Sequence, residues 1–225
     1  MEPFIERNSM HRVLSFENLM HATVISRPNR FIVKANVNGA IENVHIHDPG
    51  RLEELIFPGN DIIIRETSGT KTKYSVTFCK NGNIYTFNDA RFHSPIASQF
   101  IKEGYSNEVT VGDSRIDFKY KNSFIEVKTA TLVENGLALY PDAVTERGTR
   151  HLHRLIELKR QGFDSYVLFL IFNENAISFL PNFERDKKFA DAFYRAKDCG
   201  VKYKFLKFKN DENSIFFSNE IFLTD

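Results

Sequence analysis

The chain has no tryptophan and only two cysteines, Cys79 and Cys199. They lie far apart and outside any metal-ligand spacing, which excludes a disulfide framework and points to a reducing compartment. Neither sign of charge is in excess: 30 Lys and Arg against 29 Asp and Glu leave a formal +1. Residues 1–90 hold ten of each sign, so neither half is a polycation. Any affinity for nucleic acid must come from a local patch, and binding of that kind weakens steeply with salt. No apolar run approaches the ~20 residues that span a bilayer. The first seven residues carry Glu2 and Glu6 and lack the apolar core of a secretory leader. The expectation is a cytoplasmic protein that does not enter a membrane.

What is abundant is phenylalanine, 22 residues within a hydrophobic content of 42%. That is ample for one large core or two small ones. The first half reads as strands over Ala22–Ser26, Phe31–Val37, Ala40–Ile46, Asp61–Glu66, Tyr74–Cys79 and Asn83–Phe87, with Asn38-Gly39 as a hairpin turn. A short apolar helix is expected around Leu52–Ile56. Short strands around one small helix suit an OB-type barrel, and an SH3-like barrel fits nearly as well.

The texture changes near Asn88–Phe92. Ser94-Pro95 opens a helix that runs to about Lys102 or Glu103. Strands are expected over Glu108–Val111, Arg115–Tyr120 and Ser123–Ala130, then an irregular loop over 131–144. A helix over Thr145–Gln161 precedes the almost wholly apolar run Ser165–Phe172, which reads as a central buried strand. A last helix, Glu184–Cys199, and terminal strands near Val201–Phe208 and Ser214–Phe217 complete the chain.

Two of these strands carry the most chemistry. Ser114-Arg115-Ile116-Asp117-Phe118 and Phe124-Ile125-Glu126-Val127-Lys128 alternate polar and apolar residues on either side of a turn at Asn122-Ser123. Side chains repeat every two residues, so Glu126 and Lys128 share a face, and antiparallel pairing would bring Asp117 onto it. Two carboxylates so placed suit Mg²⁺ or Mn²⁺, hard cations held by one or two carboxylates, waters and a substrate phosphate. Such an ion acidifies water and stabilises phosphate charge, while a nearby ammonium orients the water. The same three residues also describe a solvated sheet face with a cross-strand ion pair.

Asp117 with Glu126-x-Lys128 resembles the PD-(D/E)XK nuclease signature. The surrounding segments are more specific: Ser114–Phe118, Ile125 to Val133, Pro141-Asp142-Ala143-Val144-Thr145-Glu146-Arg147-Gly148, and His47-Asp48-Pro49-Gly50-Arg51-Leu52 with Pro58-Gly59. Together they resemble the sugar fermentation stimulation protein family over nearly the whole chain. The resemblance implies an α+β protein of two domains. The first, residues 1–88, is an OB-fold-like nucleic-acid-binding β-barrel. The second, 89–225, is a restriction-endonuclease-like α/β domain with a central mixed sheet. It also implies DNA as the partner, and it matches Glu108 to an acidic position of the family. Many bacterial relatives carry Pro-Asn-Thr-Gly in the first-domain loop where this chain has His-Asp-Pro-Gly.

The expected site therefore has Asp117 and Glu126 holding Mg²⁺ or Mn²⁺, Lys128 positioning the attacking water, and Glu108 assisting. Arg147, Arg150, His151 and Arg154 recur every three or four residues and form one stripe on a helix. Facing the site, the stripe would receive phosphates; otherwise it is a solvated face. Arg51 is the charge of the first-domain loop. His45 and His47 share a strand face, yet no third or fourth zinc ligand is evident. Asp142 reads first as a helix cap and second as a substrate-facing carboxylate. The reading is phosphodiester hydrolysis. Its rivals are a non-catalytic DNA-binding regulator of sugar-metabolism genes on the same fold, and hydrolysis of some other phosphoester.

Overall fold

The first half contains β1 (His11–Ser15), β2 (Leu19–Asn29), β3 (Ile32–Val37), β4 (Ala40–His45), β5 (Asp61–Glu66), β6 (Tyr74–Asn81) and β7 (Ile84–Phe87), with burial alternating most clearly along β3. The computed structural model describes residues 2–7, 9–68 and 71–224. Asn38 and Gly39 take φ of +51° and +88°, the mirror-image turn whose twist matches a hairpin, and it joins β3 to β4. β2 pairs with both β3 and β5, β5 with β6, and β4 closes the ring by parallel pairing with β6 through Val44–Tyr74 and His45–Ser75. This closure makes an OB-type five-stranded barrel, filled by Val33, Val44, Ile46, Leu55, Ile62 and Val76. The expected helix at Leu52–Ile56 is a single turn instead. Leu52 sits at φ +50°, a left-handed conformation from which a right-handed helix does not continue.

The second half contains α1 (His93–Ser98), β8 (Ser106–Val111), β9 (Ser114–Tyr120), β10 (Ser123–Ala130), β11 (Val133–Glu134), β12 (Leu137–Tyr140), α2 (Glu146–Arg160), β13 (Asp164–Ile171), β14 (Ser178–Pro181), α3 (Lys187–Asp198), β15 (Lys202–Asn210) and β16 (Ser214–Leu223). α1 stops at Ser98, short of Lys102, because Gln99 to Lys102 instead bond to the tight turn and to Pro3. The stretch read as an irregular loop contains the hairpin β11–β12, whose second strand runs parallel to β14. No helix among the described residues is long and apolar enough to cross a membrane.

The sheet order is β11-β12-β14-β16-β15-β13-β10-β9-β8, with β1 paired to β16. β13 lies between β10 and β15, parallel to both, and is buried on both faces as its sequence implied. Tyr166, Leu168, Leu170 and Phe172 face the barrel side; Val167, Phe169 and Ile171 face α2 and α3. Barrel residues Ile63, Phe78 and Phe87 share a core with Phe100, Phe172 and Phe208. The two bodies are therefore joined by an aromatic interface rather than by a linker alone.

A division at residue 88 does not describe the N-terminal segment. β1 pairs with β16, so His11–Ser15 lie on the second sheet, and Phe4 bridges Ile101 of the second body. Phe4 and Val13 gain burial in the larger apolar core there. The outer bounds of the division, Met1 and Asp225, fall outside the described residues.

Candidate functional site

β9 and β10 pair through Ser123–Tyr120, Phe124–Lys119 and Ile125–Phe118, and then the ladder ends. Beyond it the Val127 N–H donates to Asp117 Oδ2 at 2.6 Å, so a carboxylate takes the place of a strand carbonyl. A buried amide needs such a partner, which fixes the Asp117 side chain over β10. Glu126 and Lys128 project from β10 on the α2 side of the sheet. Lys128 Nζ donates to Glu126 Oε1 at 2.5 Å. His151, from the first half of α2, places Nδ1 against the same oxygen. Glu126 is only 2% exposed, and its Oε2 has no hydrogen-bond partner among the described residues.

Charge balance in this cluster is uneven. Burial pushes the Asp117 carboxyl up, and the neighbouring Glu126 charge adds to it, to about 6. Burial acts on Glu126 in the same direction, but the Lys128 ammonium and His151 outweigh it and hold Glu126 below its ordinary range. Lys128 is likewise disfavoured by burial, yet Glu126 keeps it above its ordinary value. Glu126 and Lys128 are thus an ion pair, and Asp117 is the carboxylate left without a cation of its own.

These residues line one wall of a cleft of about 690 Å³ between the two bodies. Arg30, Asp48 and Gly50 form the barrel wall, while His93, Tyr140, Asp142 and Arg147 complete the other sides. Asp142 is not a helix cap; Thr145 fills that role by accepting from Gly148 N. Asp142 Oδ2 instead accepts from Leu52 N at 3.2 Å across the domain boundary. A Cβ on Gly50 would lie 2.7 Å from that oxygen. Gly50→Ala is therefore expected to displace Asp142, strip Leu52 N–H of its acceptor and cost about 1–3 kcal/mol. Urea denaturation of the variant measures this, and an unchanged midpoint would show that the contact carries no weight.

Of the other expected residues, the structure brings only Arg147 into the cleft. Glu108 lies across the ladder from Asp117, between the pairs Asn107–Phe118 and Val109–Ile116. Its φ of +51° turns the side chain off that face, and it is exposed and paired with Arg115 at 3.4 Å. Arg51 is exposed beside Glu53 and does not line the cleft. Arg150 is exposed and also outside the lining. His151 is buried under Glu126 rather than presented to a ligand, and Arg154 is engaged by Asp113 and Glu157. The stripe on α2 is divided by its own geometry: packing against β10 takes His151 inward.

His45 and His47 do sit together, with ring centroids 4.2 Å apart. Among the described residues no three His, Cys, Asp or Glu converge to hold a metal by themselves. His93 escaped sequence reasoning. Its Nδ1 lies 2.9 Å from Thr129 Oγ1, and burial lowers its pKa to about 4, so the ring is neutral. No spacing relates residue 93 to residue 129; only the crossing of α1 over β10 does.

The fold and the site together define a two-domain protein, an OB-type barrel set against an α/β sheet domain with a buried carboxylate–lysine cluster at the join. The chain belongs to the sugar fermentation stimulation protein family. Residues 25–87 match the SfsA N-terminal OB domain, and residues 88–214 match the Sugar fermentation stimulation protein RE domain. It is 53% identical over 221 residues to a Sugar fermentation stimulation protein homolog of Picrophilus torridus, covering 98% of each chain. A homolog from Saccharolobus solfataricus is 48% identical over 205 residues, covering 91% of this chain and 85% of the relative. Among solved structures, Pyrococcus furiosus SfsA in complex with Ca²⁺ superposes with a TM-score of 0.87 at 26% identity, over 96% of this chain and 100% of that one.

Proposed function

We propose that this protein is a divalent-metal-dependent phosphodiesterase acting on DNA, with a restriction-endonuclease-like second domain. The observation that carries the reading is the convergence of Asp117, Glu126 and Lys128 on one wall of the interdomain cleft, with Glu126 Oε2 buried and unpartnered. A carboxylate oxygen buried without a donor is costly unless something positive meets it. Asp117, whose ionisation is resisted by burial and by Glu126, has the same need. Two carboxylates are the protein share that Mg²⁺ ordinarily takes, water and phosphate oxygens supplying the rest. That a family member was solved in complex with Ca²⁺ supports a divalent cation on this fold.

Asp117 and Glu126 would hold Mg²⁺ or Mn²⁺. When bound, the ion supplies positive charge to a phosphate and acidifies water. The chain's own residues do the remaining work. Lys128, held against Glu126, orients a water and offers its ammonium to charge developing on the phosphate. His151 and Lys128 both hold Glu126 Oε1, which leaves Oε2 as the oxygen without a partner among the described residues. Arg147, exposed at the start of α2, neutralises the backbone of the bound strand. The protein would act on DNA inside the cell, without a membrane partner.

A non-catalytic DNA-binding role is favoured by one feature: the Lys128 ammonium already neutralises Glu126 from within, and His151 holds the same oxygen. Cleavage of single- and double-stranded DNA with Mg²⁺ or Mn²⁺ separates the readings. Metal-dependent cutting lost in both Asp117→Ala and Lys128→Ala is the expected result. No cutting, with salt-sensitive binding unchanged in the variants, would identify a binding module. Arg147→Ala is expected to weaken binding similarly across sequences and to lower the salt slope by about one phosphate contact. An unchanged slope would remove Arg147 from the interface.

A further inference from the structure

The cleft continues onto the barrel at the β2–β3 turn. Arg30 lines it, and the next residue, Phe31, is 46% exposed. That exposure is not looseness. Phe31 N–H donates to Asn29 Oδ1 at 2.9 Å, and its carbonyl accepts from Ile46 N at 2.9 Å. Arg27 locks the same turn to the cleft loop, donating to the carbonyls of Arg30 and Gly50 at 3.0 and 2.8 Å and also to that of Arg51. The backbone that carries Phe31 is therefore held at a set position relative to the cleft while nearly half of the residue stays in water.

Its surroundings are those of a π-stacking site. The His45 ring lies parallel to Phe31, with centroids 6.4 Å apart and planes 5° apart. His47 follows His45, and the Arg30 guanidinium stands 5.8 Å from the Phe31 centroid. Burial lowers both imidazole pKa values, that of His47 to about 4, so the imidazoles are neutral and the one cation of the row lies over the Phe31 ring. A flat neutral face flanked by an arginine binds a nucleobase by stacking and its phosphate by charge. Bases in a duplex are already stacked on one another, so only an unpaired strand presents such a face.

We infer that Phe31, backed by His45 and flanked by Arg30, is a stacking platform for a base of a single-stranded segment of nucleic acid leaving the cleft. This rests on the reading that the cleft holds a phosphodiester backbone, but it concerns binding and does not require cleavage. It specifies the substrate as one with an unpaired strand on the barrel side.

The test is fluorescence anisotropy of the full chain with a labelled oligothymidylate and with a blunt-ended duplex, in EDTA so that no cutting intervenes. Phe31→Ala is expected to weaken oligothymidylate binding about tenfold or more while leaving the duplex within about twofold. Phe31→Tyr keeps the ring and is expected to keep the affinity. Phe31→Ala binding oligothymidylate as tightly as the parent would overturn the platform, as would equal losses on both probes or no binding of oligothymidylate by the parent. A parent that never cuts DNA but loses single-strand affinity selectively in Phe31→Ala would retain the platform and remove the nuclease reading. Cutting that survives with no affinity change in Phe31→Ala would do the reverse.

Discussion

Asp117→Asn is expected to make the metal-free protein more stable near neutral pH and at the same time to remove metal-dependent cleavage. The two effects have one source. Burial, and then the Glu126 charge, lift Asp117 from 3.8 to about 6. At about 1.4 kcal/mol per tenfold change in proton affinity, forcing it to ionise costs about 2–3 kcal/mol, and about 1–2 kcal/mol once partial solvent screening is allowed for. Because the folded-state value is the raised one, the folded protein holds this proton more tightly than the unfolded chain. The stability it contributes is complete below about pH 4 and is lost as pH rises through about 6. Asparagine does not ionise and keeps an oxygen for Val127 N–H. Its advantage should therefore appear above about pH 6 and vanish near pH 4. Denaturation in EDTA at the two extremes measures this. Cleavage with Mg²⁺ should fall by at least about 10²–10³-fold. A variant that is less stable at neutral pH, or that still cuts, would refute the assignment.

Asp89→Asn is expected to give the largest loss of stability, about 3–5 kcal/mol. Asp89 is fully buried at the point where the barrel hands over to the second body. Its Oδ2 accepts from Arg65 at 2.6 Å and Arg91 at 2.8 Å, and Oδ1 accepts from Arg91 Nε at 3.0 Å. Burial opposes its charge, but the Arg91 hydrogen bonds and the Arg65 charge prevail and hold its carboxyl below the ordinary range. That contribution is present at neutral pH and is lost only as pH falls through the lowered value. Without the charge, Arg65 on β5 is left largely buried and unpaired. Since Arg65 belongs to the barrel and Arg91 to the turn before α1, the two cleft walls should also lose their fixed relation, and cleavage should fall with stability. Urea titration gives the first quantity. The double variant Asp89→Asn/Arg65→Met should recover part of the loss, because it no longer buries a lone cation. Full additivity would show that the pair is not coupled.

The candidate site was legible wherever local periodicity carried it. Alternation in β9 and β10 placed Asp117, Glu126 and Lys128 on one face, and the tight turn between the strands required their antiparallel pairing. Glu108 was misplaced because a left-handed residue inside a strand leaves no mark in the pattern of apolar residues. His151 was assigned to the right stripe but to the wrong partner. Helical spacing says which residues share a face, not whether that face meets water or a buried carboxylate.

By itself the sequence determined the strand-rich first half, the change of texture near residue 88, the buried run of β13 and the antiparallel hairpin that carries Asp117, Glu126 and Lys128. Each of these is written within a few residues, in side-chain period and turn propensity. The tertiary structure alone decided that β1 joins the second sheet, that Asp142 fastens the barrel loop, that His93 meets Thr129, and that Phe31 stands exposed beside the cleft. Those outcomes depend on which distant surfaces exclude water from one another. In this chain the interdomain aromatic core, built from phenylalanines far apart in sequence, makes that choice.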